Sequence, residues 1–361
     1  MFESNKPRQI DLHLPTGWNS CTTEELEAIA AAIISEQQRV DRYHPFDWSR
    51  VKISVVLAIN SLTPDPSPKG EGSSQTSAIS HQTSDIESTW LVRRPEDKEP
   101  WPITTGQLVA LTERLAWIDD EKASKTIFQF PYPELTLVHG SWFMVHGSGL
   151  RVKGSGLRVH GSKSLTINRE PLTVAGPPPL LDGYTWQEYR WMTDWMQAYM
   201  RHSNALLQVK SEKLKVKSQQ EAMENARNEF LAVLFKPKAG GGRNNDISTY
   251  RDNDKIPAAI FTSFDPVKWQ VILFWWSSLM SMLAKKFPKV FKQQPVGKGK
   301  RRPQQQDTPW DFYNRVTATI QKYIGGLSEQ DVNNATYGTI LQQLEMMADE
   351  AAEMEKLKHK K

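Results

Sequence analysis

Apolar residues recur every three or four positions in several segments, and most of these segments open with a helix-capping sequence. Capping boxes stand at Thr22–Glu25, Thr104–Gln107 and Thr185–Glu188, and each precedes a run with helical spacing. Asp265 and Thr308 each precede a proline, which favours a helix that begins at the proline. The pattern predicts a mainly α-helical protein with a few short strands near the N-terminus and long, disordered loop insertions.

Two apolar segments are less distinctive. Val51–Ile59 is a short apolar run that suits either a strand or a buried helix, and periodicity does not separate the two. Phe128–Leu137 alternates between polar and apolar residues but contains Pro131 and Pro133. Because proline cannot donate a hydrogen bond to a neighbouring strand, this segment is expected to form an edge strand at most.

The most apolar helix follows Asp265. Its uncharged stretch, Trp269–Ala284, is 16 residues long and includes three serines. A helix needs about 20 predominantly apolar residues to span a membrane. We therefore predict a helix that is buried on all sides in a protein core, and no membrane segment.

Three low-complexity segments interrupt this framework, at Leu62–Ser73, Val138–Lys163 and Gln208–Ser218. The middle one repeats GSGLRVK and GSGLRVH, whose glycines exclude a stable helix. In their amino-acid sequences, all three resemble translated intergenic repeats that some bacterial genomes insert in frame into genes. We expect exposed insertions at 62–88, 138–163 and 208–218, since longer surface loops cost little closure entropy.

These segments also distort the charge balance. The chain has a formal net charge of +4, and the three segments carry −1, +4 and +3 in chain order, so the remainder carries −2. Net charge therefore does not favour a nucleic-acid-binding protein. His139, His146 and His160 belong to the repeat, so their number does not indicate a metal site.

No familiar catalytic or cofactor motif is present. Phosphate-binding loops, a glycine-rich loop that opens a helix, H-E-x-x-H, C-x-x-C and G-x-S-x-G are all missing from the sequence. The single cysteine, Cys21, stands beside capping threonines and is interpreted as structural. The sequence predicts no catalytic residue, no cofactor and no metal, and a protein that is not an enzyme.

Polar stretches suggest a division of the chain. We predict a mixed, mostly helical domain over 1–235, a linker over 236–256 and a helical domain over 257–361, with a basic linker at 292–306. The basic linker holds Lys298, Lys300, Arg301 and Arg302. These residues are candidate phosphate contacts, although a solvated linker is the favoured interpretation because no aromatic residue is interleaved with them.

Two helical faces are candidate surfaces for a protein partner or a second copy of the chain. One is an aromatic and methionine-rich stripe after Thr185, which suits a core face better than a docking face. The other is a terminal stripe with coiled-coil spacing over barely two heptads, which also suits a helix docked on its own domain. The candidate contact residues are Trp191, Trp195, Ile340, Leu344, Met347, Ala351 and Met354.

A family resemblance adds an expectation about biology. Leu14–Trp18 followed by Thr22–Ala30 resembles the N-terminus of small phage and prophage tail-associated proteins, and the segment Leu180–Leu207 is similar to the same group. The resemblance covers about a third of the chain and includes no catalytic residue. It implies a protein of a phage-derived or mobile element, similar to a tail assembly chaperone. With no catalytic motif present we expect a non-enzymatic interaction or assembly factor, and the single cysteine indicates a reducing, cytoplasmic location. The alternative is a nucleic-acid-binding accessory protein that uses Lys298–Arg302 and the C-terminal lysines.

Overall fold

The structure is a computed structural model. It describes residues 12–40, 44–60, 63–64, 89–93, 101–120, 129–137, 172–208, 213–239, 242–243, 258–291 and 309–359. The described chain is mostly helical, which confirms the predicted fold class. Its helices are α1 Thr23–Arg39, α2 Trp48–Ile59, α3 Thr105–Glu113, α4 Trp186–Gln208, α5 Lys213–Leu234, α6 Pro266–Lys286, α7 Pro309–Ile324, α8 Glu329–Asn334 and α9 Tyr337–His359.

The strands form two small antiparallel sheets. One sheet has the order β1-β2-β3 and the other the order β4-β5-β6-β7. The strands are β1 Thr63–Pro64, β2 Thr89–Arg93, β3 Trp101–Thr104, β4 Glu134–Leu137, β5 Leu172–Ala175, β6 Lys236–Ala239 and β7 Gly242–Arg243. The predicted edge strand is confirmed as β4, which begins directly after Pro133.

The chain divides into two compact units. The first comprises Met1–Pro131 with Phe264–Lys292, and the second comprises Tyr132–Ser263 with Gln293–Lys361. These bounds differ from the predicted division at 236–256, because α6 packs against α1 instead of the later helices. The predicted linker also begins with a strand, since Lys236 pairs with Ala175 in the second sheet.

Local capping signals are confirmed where the structure describes them. The Thr22 hydroxyl accepts a hydrogen bond from the Glu25 amide at 3.3 Å, and the Glu25 carboxylate accepts one from the Thr22 amide at 2.7 Å. Thr104 and Gln107 exchange the same pair of bonds, and Asp265 caps α6. The apolar run Val51–Ile59, which the sequence did not assign to a strand or a helix, is part of α2. Asp47 caps this helix, and Val51, Val55 and Val56 are buried.

The core of the first unit is built around α6. Within the predicted stretch Trp269–Ala284 only Ser277 and Ala284 are exposed, so the prediction of a helix buried on all sides is confirmed for most, but not all, of its length. Aromatic rings contact it from earlier parts of the chain: Trp18 lies 5.0 Å from Phe274, and Phe130 lies 4.7 Å from Trp275. Within the described ranges, no helix has the length and apolar character that a membrane span requires.

The second unit is centred on the α4–α5 hairpin. The two helices run antiparallel, because Tyr184 before α4 donates to the Leu234 carbonyl at the end of α5, while His202 lies 2.7 Å from Gln219 at the other end. Helices α7, α8 and α9 all pack on α4. Gly325 and Gly326, with φ values of 71° and 73°, directly follow the end of α7.

One predicted insertion is wrong in its second half. Residues 213–218 form the first turns of α5, whereas an exposed loop was expected over 208–218. The segment contains neither glycine nor proline, and its lysines and leucine are good helix formers that lead directly into the helical run after it. Residues 138–163 and 292–306 lie outside the described ranges, as does 62–88 apart from the short strand β1.

Candidate functional site

A buried ion pair lies at the start of α4. The Lys236 ammonium donates to Glu188 Oε1, and only about 7% of each side chain is exposed. Glu188 is also the capping residue of α4, because its Oε2 accepts from the Thr185 amide at 2.9 Å. Lys236 sits over the Tyr184 ring at 5.4 Å, a cation–π contact that adds to the compensation of its charge.

Arg190, two residues after Glu188 on α4, is the centre of a second set of polar contacts. Its guanidinium donates to Asn314 at 2.8 Å, to Asn333 at 3.1 Å and to Thr317 at 3.4 Å. Trp186 donates to the same Thr317 hydroxyl at 3.3 Å. The arginine therefore joins α4 to α7 and α8, and we call these contacts, with the Glu188–Lys236 pair, the polar network.

Asp194 follows Arg190 by one helical turn. Burial raises the pKa of its carboxyl, and the positive charges of Arg190 and Arg201 oppose that rise. A carboxyl with a raised pKa is a common property of a general acid or base. Here the neighbouring polar groups are engaged in holding helices together, which favours a structural role for the polar network.

The described residues also show how Cys21 is placed. Its thiol donates to the Gly17 carbonyl at 3.4 Å, and burial, together with the charge of Glu25, raises its pKa to about 12. A reactive cysteine needs a lowered pKa, because the thiolate is the nucleophile. The geometry therefore disfavours a nucleophilic role. Among the residues that the structure describes, no cluster of histidine, cysteine and carboxylate side chains is arranged to hold a metal ion.

The aromatic stripe of α4 is mainly a core face. Tyr189, Met192 and Met196 are buried, and the Tyr189 ring stacks on Tyr337 of α9 at 5.0 Å. The candidate residues Trp191 and Trp195 are half-buried. The structure thus places the stripe between α4 and its own neighbours over most of its length.

The exposure of the terminal stripe on α9 increases along its length. Ile340 is 2% exposed, Leu344 and Met347 are half-buried, Ala351 is exposed and Met354 is 58% exposed. The same helix face therefore leaves the core of its own unit and enters solvent. The interpretation as a helix docked on its own unit is confirmed for the first half of the stripe, and the second half lies outside that core.

Further apolar side chains are exposed near that second half. Met346 and Leu357 are 47% and 58% exposed on α9, and Tyr323 and Ile324 are exposed at the end of α7. The Tyr323 hydroxyl donates to Glu350 at 2.5 Å, which ties the end of α7 to this part of α9. We call residues 346–357 of α9 the tip.

The basic candidates Lys298, Lys300, Arg301 and Arg302 lie outside the described residues. No pattern in the sequence indicated the Glu188–Lys236 pair or the contacts of Arg190. Only Glu188 had a local signal, as the acidic residue of a capping box. Lys236 is 48 positions away, in a segment predicted as a linker, so nothing in the local pattern joined the two.

Comparison with known proteins returns no relatives: neither protein-family profiles, nor curated proteins, nor solved structures match the chain. The tip of α9 and the polar network are therefore the two features from which a function has to be inferred.

Proposed function

We propose that this chain is a non-enzymatic protein-interaction factor that binds its partner through the tip of α9. The observation that carries the proposal is the exposure gradient along one helical stripe, from buried Ile340 to Met354 at 58% exposed. Burial of apolar surface stabilises an interface by about 25 cal/mol per Å². A stripe that continues past the core therefore offers apolar area to another molecule.

The composition of the tip suits such contacts. Met346, Met347 and Met354 are flexible and polarisable side chains that adapt to varied partner surfaces. An amphipathic helix that lies against a partner helix or groove is a recurrent mode of protein recognition. The first half of α9 is fixed on its own unit, so the tip is presented on a rigid support and loses less conformational entropy on binding.

The resemblance of Leu14–Trp18 and of the α4 segment to tail-associated proteins supports a more specific proposal. In it, the chain acts as an assembly factor of a phage-derived element, in the manner of a tail chaperone. This part rests on the resemblance alone. The interaction through the tip does not depend on it.

A photo-crosslinking amino acid at position 354 tests the proposal in the cells that produce the protein. We expect an adduct of higher mass after irradiation, because the partner covers this residue. The matched control places the same amino acid at Gln342, which is exposed on the first half of the same helix. We expect no adduct there.

Two outcomes contradict the proposal. The first is the absence of any adduct from position 354. The second is an equal yield of adducts from positions 342 and 354, which would indicate random collision instead of a specific interface.

A further inference from the structure

We infer that the tip of α9 binds the tip of a second copy of this chain, with the two helices antiparallel. The inference rests on the proposed function and adds the identity and orientation of the partner. It follows from the order of charged and apolar residues along the exposed face.

Helix geometry identifies that face. With 3.6 residues per turn, positions three, four and seven apart lie on one side of α9. Counted in both directions from Met354, this face contains Met347, Glu350, Ala351, Leu357 and Lys358. The face is centred on a methionine that is 58% exposed, with one glutamate on its N-terminal side and one lysine on its C-terminal side.

The face matches itself only when the second helix runs in the opposite direction. With Met354 on the two-fold axis, Glu350 of each copy lies opposite position 358 of the other, and Ala351 lies opposite Leu357. The apolar contact between Ala351 and Leu357 and the opposite-charge pair then each form twice, as in any isologous interface. A parallel pair would place Glu350 beside Glu350 and Lys358 beside Lys358, which opposes association.

The charges outside this face have the same order. Acidic residues occupy 345, 349, 353 and 355, and lysines occupy 356, 360 and 361. An antiparallel pair brings the acidic stretch of one copy beside the basic stretch of the other. This charge order makes a second copy a complementary partner for the tip.

Tyr323 positions the Glu350 carboxylate for the proposed contact. Its hydroxyl donates to Glu350 Oε2 at 2.5 Å and holds this carboxylate on the exposed face. Tyr323 and Ile324 are themselves exposed, so they add apolar area from the end of α7. We expect association in the micromolar range, weaker than is common for a standard interface of about 1,600 Å².

Sedimentation velocity of the full chain, from about 1 µM to about 200 µM, tests the inference. We expect a reversible dimer that becomes dominant at the upper end. Glu350→Lys and Lys358→Glu should each weaken dimerisation by about tenfold, since each creates two like-charge contacts. The double variant Glu350→Lys/Lys358→Glu should restore most of the affinity. Lys356→Glu makes the same charge change as Lys358→Glu on the opposite side of the helix, and should have much less effect.

Each contrary result has a distinct meaning. A chain that stays monomeric at all concentrations overturns self-association, while an adduct with a different protein from position 354 would leave the proposed function intact. A dimer whose affinity is not rescued in the double variant overturns the antiparallel arrangement. A monomeric chain that also gives no adduct at position 354 overturns both proposals.

Discussion

The start of α4 and the tip of α9 reverse the usual distribution of residues in a protein. The start of α4 buries charged side chains, including Glu188 and Arg190, whereas the tip of α9 exposes apolar ones such as Met354 and Leu357. Burial of an ion costs several kcal/mol unless a partner compensates it, and here Lys236, Asn314 and Asn333 do so. Among the described residues, nothing compensates the apolar exposure at the tip. The comparison indicates that the buried charges hold the unit together, whereas the exposed apolar residues add nothing to its core, which is why we propose them as a contact surface.

The strongest test of the structural half of this comparison is Lys236→Met. It leaves the buried Glu188 carboxylate without its cation, and we expect the free energy of unfolding to fall by about 3–5 kcal/mol. Urea denaturation followed by circular dichroism measures the change. The double variant Glu188→Gln/Lys236→Met removes both charges and should recover most of the loss.

The matched control is Lys217→Met. Lys217 pairs with Glu221 at 3.9 Å, and both side chains are largely exposed. An exposed pair contributes at most about 1 kcal/mol, so this variant should unfold almost like the wild type. Equal losses for Lys236→Met and Lys217→Met would show that the polar network does not stabilise the fold.

Arg190→Lys should have the next largest effect. A lysine keeps the charge but has a single ammonium group, which cannot reach Asn314, Asn333 and Thr317 together. We expect a loss of about 1.5–3 kcal/mol in the same denaturation experiment, the cost typical of hydrogen bonds to a charged group. The same change at Arg201, which is exposed on α4, should cost much less. Indistinguishable losses would contradict the role given to Arg190.

Asp194→Asn tests how burial of this carboxyl, beside Arg190, makes the stability of the protein depend on pH. Burial raises the pKa of Asp194 in the folded state above its unfolded value, so the stability that this group contributes is complete at low pH. That contribution is lost as pH rises through the folded pKa. Relative to the wild type, Asp194→Asn should therefore be more favourable at pH 7 than at about pH 3. Urea midpoints at the two pH values measure this difference. A difference of the opposite sign would contradict a raised pKa for Asp194.

The smallest effect on stability is expected at the tip. Met354→Ala should change the free energy of unfolding by less than about 0.5 kcal/mol at a protein concentration where the chain is monomeric. Ile340→Ala, in the same stripe, should cost about 2–5 kcal/mol because it opens a cavity in the core. For association we expect the opposite order of effects: Met354→Ala should weaken crosslinking and dimerisation more than Ile340→Ala does. A large loss of stability from Met354→Ala would mean that the tip belongs to the core of its own unit.

The sequence predicts those parts of the fold that depend on neighbouring residues. The capping boxes at Thr22, Thr104 and Thr185 are local devices, and all three begin helices in the structure. The buried character of α6 also follows from its own composition. The assignment of α6 to the first unit does not follow from that composition. It depends on tertiary contacts with residues that are far from α6 in the sequence.

The candidate site shows the same limit. The spacing from Ile340 to Met354 predicts a stripe, but the residue at which the stripe leaves the core depends on how far the neighbouring helices extend. The partners of Arg190 are between 124 and 143 positions away, beyond the reach of any local pattern. Composition was misleading in one place: the lysine-rich segment after Gln208 looks like an insertion, yet 213–218 is helical.

Hydrogen exchange along α9 at two protein concentrations tests the central claim most directly. If the tip binds a second copy, amides at 349–357 should exchange more slowly at about 200 µM than at about 1 µM, where the dimer dissociates. Amides at 340–344, which pack on their own unit, should exchange at the same rate in both samples. Equal exchange of the tip at the two concentrations would contradict the claim.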